Sequence, residues 1–541
     1  MEMKTARRKN ALMILGTASH VGKSIIAAGL GRLFADDGYR VAPFKAQNMS
    51  LNSAATPDGG EIGRAQALQA EACRILPCIE MNPVLLKPAT DTGAQVILLG
   101  KIWGQVTALD YHMRRVEQLF PEVLDAYRRL VINHDLILLE GAGSPAEINL
   151  REHDIVNMRM AHAANAACLL VADIDRGGAF AALLGTLELL EPEDRAPIRG
   201  FIVNKFRGDE SLLRSGIVMI EKRLNLPCLG VVPFLHGLGL DEEDGVALEV
   251  RPSAARQWIN PESGPSRKLR IGVIALPHMA NFTDFDPLAF ESSVSLAFVE
   301  RPEELAAADV VILPGTKQTL DDLRWLEQRG FAQELKKRAD IGVPILGICG
   351  GFQMLGVTIE DPQGIENRGE PRSRTALGLL PVRTVLGAEK TVRRVRGALR
   401  RDFFRDDAAL PGTFEGYEIH VGETHCETGA GPLTDIERQG TLGSVPDGAV
   451  SESGRVFGTY VHGFFDDDDF RHGFLRAARA AVDLAPAQKF AHVGAEREAR
   501  IDRLADHLRK SLDVNLLKSW IVDPSAPAVE KPPGLNRLCA R

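Results

Sequence analysis

The chain has 541 residues, 45% of them hydrophobic and 25% charged, an average soluble composition that is too long for one ordinary core, so two or three domains are expected. A formal net charge of -8 leaves no basic footprint for nucleic acid or an acidic membrane surface. The seven cysteines (Cys73, Cys78, Cys168, Cys228, Cys349, Cys426, Cys539) are scattered and odd in number, without a C-x-x-C pair. That argues against a disulfide framework or structural zinc and points to a reducing, cytoplasmic setting.

The basic start MEMKTARRKN leads into ALMIL, too short for a signal-peptide core and read as a first strand. No stretch approaches the roughly 20 apolar residues that a membrane helix needs. After a Gly-rich turn come the helical KSIIAAGLGRLFADDG, the strand YRVAPF, a long helical region, and the strands DLILLEGAG and ACLLVADI. The helix AFAALLGTLELL and the strands GFIVNKF and CLGVVPF complete the series. Short apolar runs separated by helices predict an α/β domain over residues 10–240, with a parallel sheet covered on both faces. Residues 241–268 lose periodicity and gather Pro, Ser, Glu and Arg, as a linker does. LRIGVIAL, DVVILPG, VPILGICGG and VFGTYVHG then predict a second α/β domain over 269–482. Within 483–541 a helical pattern runs from Glu496 to Leu517, followed by a Pro-rich tail expected to be disordered.

Residues 16–24, GTASHVGKS, lie between a strand and a helix. Glycines let the backbone N–H groups face phosphates, and the helix N-terminus adds its dipole. Gly22 belongs to this turn, Lys23 would reach the β- and γ-phosphates, and the Ser24 hydroxyl would sit on Mg²⁺. Glu140, ending the strand DLILLEGAG, suits a Mg²⁺ ligand. Asp173 and Asp175, at the end of the next strand, either bind metal and substrate or shape the turn. The loop G-T-x-x-x-V-G-K-[ST], which includes Thr17, resembles that of the dethiobiotin synthetase group. The resemblance implies a P-loop NTPase-like fold, ATP as co-substrate, phosphorylation of a carboxyl oxygen, and a second phosphate-touching lysine, here Lys45. Asn204 resembles the base-reading Asn of related P-loop enzymes, although an Asn at a strand end also forms turns.

LGICGG (346–351) follows a strand and precedes a helix. Gly347 and Gly351 permit the sharp turn that projects Cys349 as a nucleophile. His462, ending the run GTYVHG, is placed to take the thiol proton. Gly315, at the end of VVILPG, and Gly350 offer backbone N–H groups for an oxyanion hole. LPGTK, GICGG and YVHG together resemble the class I glutamine amidotransferase domain, which implies a flavodoxin-like fold and glutamine as nitrogen donor. The pattern's Glu two residues after the His is Phe464 here. Asp466, Glu418 and Glu423 are the candidates to orient His462, and a Cys–His dyad is the alternative.

The blocks PFKAQNMSLNS, EIGRAQALQAEAC, MNPVLLKP, LEGAGSPAEINL, ADIDRGGAFA, VNKFRGD and GYEIHVGET, in this order with the two motifs, resemble the cobyric acid synthase family. The resemblance covers most of residues 10–470. It implies ATP- and glutamine-dependent amidation of the b, d, e and g carboxylates of adenosylcobyrinic acid a,c-diamide, with Mg²⁺, a small corrinoid partner and no nucleic acid or membrane. Gln47, Asn48, Asn52, Ser144, Asn149 and Asp175 are polar enough to line a roomy pocket for such a ring. A cobyrinic acid a,c-diamide synthase and a partition-type ATPase switch are the competing readings. The elbow cysteine disfavours the switch, which has no use for one.

Overall fold

The computed structural model describes residues 10–90, 93–111, 116–240, 258, 264, 267–367, 369–400 and 412–522. Nearly all of the expected linker, Cys539 and the Pro-rich tail lie outside them.

The first sheet is built of six strands, in the spatial order 228–233, 198–206, 167–173, 10–16, 136–140 and 41–44, and every pairing is parallel. Strand Asn10–Gly16 lies near its middle, with Leu12 paired to Ala167 on one side and Leu138 on the other. Both faces are covered, which is why NALMILG is a continuous apolar run. Helix Lys23–Asp36 follows it directly.

The long helical region expected between YRVAPF and DLILLEGAG is only partly helical. Helices Arg64–Ala72 and Val116–Asn133 are joined there by a four-stranded sheet of Gln47–Met49, Val84–Thr90, Gly93–Leu98 and Lys101–Thr107. Its last three strands form an antiparallel meander, whose short β-branched runs, VLLKPAT, GAQVIL and KIWGQVT, suit strands better than helices.

The second parallel sheet takes the order 294–299, 269–274, 310–313, 345–348, 456–459, the flavodoxin-like order 2-1-3-4-5. Strands 449–451 and 430–431 extend it antiparallel. A hairpin that the sequence reading did not anticipate, Val382–Leu399 with Thr413–Cys426, projects from this lobe. Its strands carry so many charges (VRTVLGAEKTVRRVRGAL) that no apolar run marks them.

The hairpin meets the first lobe. Ala55 packs with Val392, Tyr417 and Ile419, Ser53 N–H donates to Asn281 Oδ1 at 3.0 Å, and Phe282 N–H donates to Asn52 Oδ1 at 3.1 Å. The C-terminal region forms helices Val493–Ser511 and Val514–Val522. These return to the first lobe, where Ile501, Leu504, Leu508 and Trp520 join the core over helix Lys23–Asp36. Gly29 of that helix is approached so closely that an added Cβ would lie 2.6 Å from Leu508 Cδ1.

Candidate active site

In the first lobe the turn after Gly16 reaches helix Lys23–Asp36 through Gly22, whose φ of 101° is left-handed and admits glycine without strain. Thr17 N–H donates to Val171 O at 2.9 Å, anchoring the loop to the neighbouring strand. Lys23 Nζ donates to Ala18 O and Gly143 O, both at 2.9 Å, and so curls over the loop. Glu140 is the hub. Its Oε1 accepts from Ser24 Oγ at 2.7 Å and Lys45 Nζ at 3.0 Å, and its Oε2 accepts from Gln69 Nε2 at 2.6 Å. Burial works against the charge on Glu140, but Lys45, Gln69 and Ser24 outweigh it and hold the carboxyl below its ordinary range.

Asn204 Nδ2 donates to Val21 O at 2.8 Å, so its amide clamps the loop. Its neighbour Lys205, which the sequence reading passed over, donates to His20 O and, at 2.9 Å, to Asp173 Oδ2. Asp173 also accepts from Asp175 N–H at 2.9 Å, while Asp175 pairs with Arg207 at 2.9 Å. Asp173 thus belongs to the loop's ion-pair network, one strand away from the Ser24–Glu140 pair. Among the described residues no group of three or more His, Cys, Asp or Glu side chains is poised to hold a metal ion. A cation here would therefore share its coordination with hydroxyl and ligand oxygens.

The proposed pocket residues are not one cluster. Gln47 accepts from the Tyr111 hydroxyl, Asn48 donates to Gln66 Oε1 at 2.9 Å, and Asn52 is committed to the contact between lobes. The Ser144 hydroxyl accepts from Ala146 N–H in its own turn at 3.2 Å. Asn149 is exposed on the outer loop.

In the second lobe Cys349 has φ 52°, a strained left-handed value for a residue bearing a side chain. The glycines around it are obligatory. A Cβ on Gly351 would lie 1.9 Å from Leu313 O, and one on Gly347 would lie 2.7 Å from Phe352 Cα. The turn is held by Cys349 N–H donating to Thr459 O at 2.8 Å, and the thiol points at Ile419 O, 3.6 Å away. Gly315 lies between nucleophile and base: a Cβ there would be 3.1 Å from His462 Cε1 and 3.7 Å from Cys349 Cβ. Gly350 packs against Thr316, the next residue of the same loop.

His462 is oriented by Asp284. Its Nδ1–H donates to Asp284 Oδ2 at 2.6 Å, and Gly463 N–H donates to Asp284 Oδ1 at 3.1 Å. Burial disfavours the imidazolium, but Asp284 first and Cys349 second raise it, pushing His462 up to about 10. His462 Nε2 is buried and makes no hydrogen bond among the described residues, on the side where thiol and substrate must meet. The three sequence candidates for this role are elsewhere. Asp466 pairs with Arg64 and Arg497, Glu418 with Arg438 and His420, and Glu423 is exposed beside His425. Phe464 packs against Phe414 and Phe470, so no carboxylate stands two residues after the histidine. The available signal for Asp284 was positional: NFTDFDPL follows the first strand of the sheet, at the carboxyl edge where open α/β sheets gather their sites.

Residues 12–247 match the CobQ/CobB/MinD/ParA nucleotide binding domain family, and residues 270–470 match the CobB/CobQ-like glutamine amidotransferase domain family. A cobyric acid synthase of Desulforudis audaxviator is 49% identical over 510 residues, covering 94% of this chain and 98% of that protein. One from Klebsiella pneumoniae strain 342 is 47% identical, covering 93% and 97%, and one from Moorella thermoacetica is 46% identical, covering 94% and 96%. A nucleotide-binding lobe carrying a glutamine amidotransferase lobe defines an ATP-dependent, glutamine-hydrolysing ligase. The chain belongs to the cobyric acid synthase family.

Proposed function

We propose that the chain amidates the b, d, e and g carboxylates of adenosylcobyrinic acid a,c-diamide, giving adenosylcobyric acid, with ATP and glutamine consumed at each step. The observation that carries this reading is the near-complete coverage, at 46–49% identity, of relatives named for that product. The paired sites supply a chemical reason.

In the first lobe a substrate carboxylate oxygen attacks the γ-phosphorus of ATP, ADP leaves, and an acyl phosphate results. Lys23 and Lys45 neutralise the charge that spreads over the transferring group. Ser24 Oγ and the Glu140 carboxylate, bonded at 2.7 Å, are the hard oxygen donors that fit Mg²⁺. Bound there, Mg²⁺ would supply electrostatic stabilisation of the β- and γ-phosphate oxygens. Asp173 is a more distant support through Lys205.

In the second lobe Cys349 attacks the side-chain amide of glutamine as a thiolate, with the Gly315 and Gly350 N–H groups facing the developing oxyanion. His462, held by Asp284, gives a proton to the departing nitrogen, and ammonia leaves a glutamyl thioester that water hydrolyses. The ammonia must reach the acyl phosphate before water does. A sheltered path between the lobes follows, because protonated ammonia is no nucleophile.

The test has two parts. Mass spectrometry of products from the a,c-diamide with ATP and glutamine should show four successive acid-to-amide shifts, and a single shift or none would reject the substrate. Cys349→Ser should lose glutamine-supported amidation yet retain it with high external ammonia. Loss of both would reject the division of labour.

A further inference from the structure

Between the two sites lies a set of buried polar groups that neither reaction uses. Glu61, fully buried, accepts from Lys87 Nζ at 2.6 Å and Ser53 Oγ at 2.8 Å through Oε1, and from Lys390 Nζ through Oε2. Lys87 and Glu61 belong to the synthetase lobe, whereas Lys390 comes from the hairpin of the glutaminase lobe. The bridge therefore closes across the boundary. Lys317, next to the Thr316 that packs on Gly350, lies within electrostatic reach of Cys349, Lys87 and Glu61. Tyr417 stacks on His462 with ring centroids 5.6 Å apart and donates to Ser53 O at 3.4 Å, so the bridge begins one residue beyond the catalytic pair.

From Glu61 the polar strip continues inward. The strand Glu61–Gly63 runs straight into helix Arg64–Ala72, whose Gln66 and Gln69 are both buried. Gln69 donates to Glu140, and Gln66 accepts from Asn48, so partners fix the orientation of each amide. The remaining atoms, Gln69 Oε1 and Gln66 Nε2, have no partner among the described residues. Among the described residues Oε1 of the buried Gln95, which faces Lys87 across the strand pair, has none either. Interiors rarely leave such groups unmatched, because each costs a lost hydrogen bond. A small molecule that both donates and accepts would match them.

We propose that this strip, from Lys317 through the Lys87–Glu61–Lys390 bridge to Gln66 and Gln69, is the route of neutral ammonia, with the bridge as its gate. The inference rests on the division of labour proposed above and adds the route's course and control. Lys87 and Lys390 both hold Glu61, Lys317 stands within electrostatic reach of them, and burial pushes the nearby Glu366 carboxyl up to about 7, so an ammonium ion entering would be a further buried cation. Neutral ammonia, the form that attacks an acyl phosphate, carries no such cost. Burial pulls Lys390 down to about 7 against the opposing pull of Glu61. The strand shifts register between Val385 and Lys390, and pairing resumes at Lys390 itself, opposite Val421, so the lysine that closes the bridge stands at the end of an irregularity in the ladder.

Lys390→Met and Gln95→Met are the tests, in the full-length protein with amide-¹⁵N-glutamine and an equal concentration of unlabelled ammonium. Both should keep glutamine hydrolysis and ammonia-supported amidation within about twofold, yet raise glutamate released per amide formed by about threefold or more. The ¹⁵N fraction of the product should fall in parallel. Unchanged glutamate-to-amide ratio and labelling in both variants would overturn the route. Loss of ammonia-supported amidation in both would overturn it as well, by making these side chains part of the synthetase fold. If the Cys349→Ser enzyme is not rescued by ammonia, the two-site reading fails first, whatever these variants do.

Discussion

Asp284 Oδ2 lies 2.6 Å from His462 Nδ1 although 178 residues separate the two in the chain. The carboxylate comes from the loop after the first strand of the glutaminase sheet, and it fills the role that Phe464, two residues after the histidine, cannot. Asp284→Asn keeps the shape and an acceptor for Gly463 N–H but removes the charge. We expect glutamine hydrolysis to fall by about 10²-fold or more, with ammonia-supported amidation unchanged. Steady-state assays with each nitrogen donor check this.

The same pair sets a pH dependence. The folded ring holds its proton up to about 10, against an ordinary value of 6.5. The stabilisation it lends is therefore complete below about pH 6.5 and fades as pH climbs through about 10. Thermal melts of wild type and Asp284→Asn should be furthest apart below neutrality and converge at high pH. A gap that widens with alkalinity would contradict the pairing.

At the phosphate loop, Lys45→Met removes one of three groups that hold Glu140. Amidation with either nitrogen donor should drop by about 10²-fold or more, as expected when charge neutralisation of a transferring phosphoryl group is lost. Cys349-dependent glutamine hydrolysis, measured as glutamate, should persist. If only the glutamine-supported reaction fell, Lys45 would belong to coupling and not to phosphoryl transfer.

Gly351→Ala places a methyl group 1.9 Å from Leu313 O. Neither the strand nor the following helix can yield that far, so the elbow should be lost and glutaminase activity with it. Nucleotide binding in the other lobe, measured by titration calorimetry, should survive.

Leu508 is fully buried against the helix that starts at Lys23. Leu508→Ala should cost about 2–5 kcal/mol in urea unfolding. The loss should fall on the nucleotide-binding lobe and not on the glutaminase lobe that precedes residue 508 in sequence.

Both sheets could be read from the chain because their central strands are buried on two faces and therefore continuously apolar, as in NALMILG and VVIL. The glycines around Cys349 and Lys23 were legible for a related reason: backbone geometry there tolerates little else. Asp284 was not, because an orienting carboxylate is chosen by three-dimensional approach and carries no spacing signature relative to His462. The hairpin bearing Lys390 escaped notice because its strands, paired mainly with each other, alternate charges instead of apolar residues. The same blindness applied to the last helices. Their pattern was recognised, but nothing in residues 493–522 says which lobe they cover.

Those helices return to a lobe whose sheet precedes the glutaminase lobe in sequence. During synthesis the outer side of helix Lys23–Asp36 must stay uncovered until residues 493–522 follow the second lobe out of the ribosome. The nucleotide-binding lobe can start folding before the glutaminase lobe, but its core is finished after it.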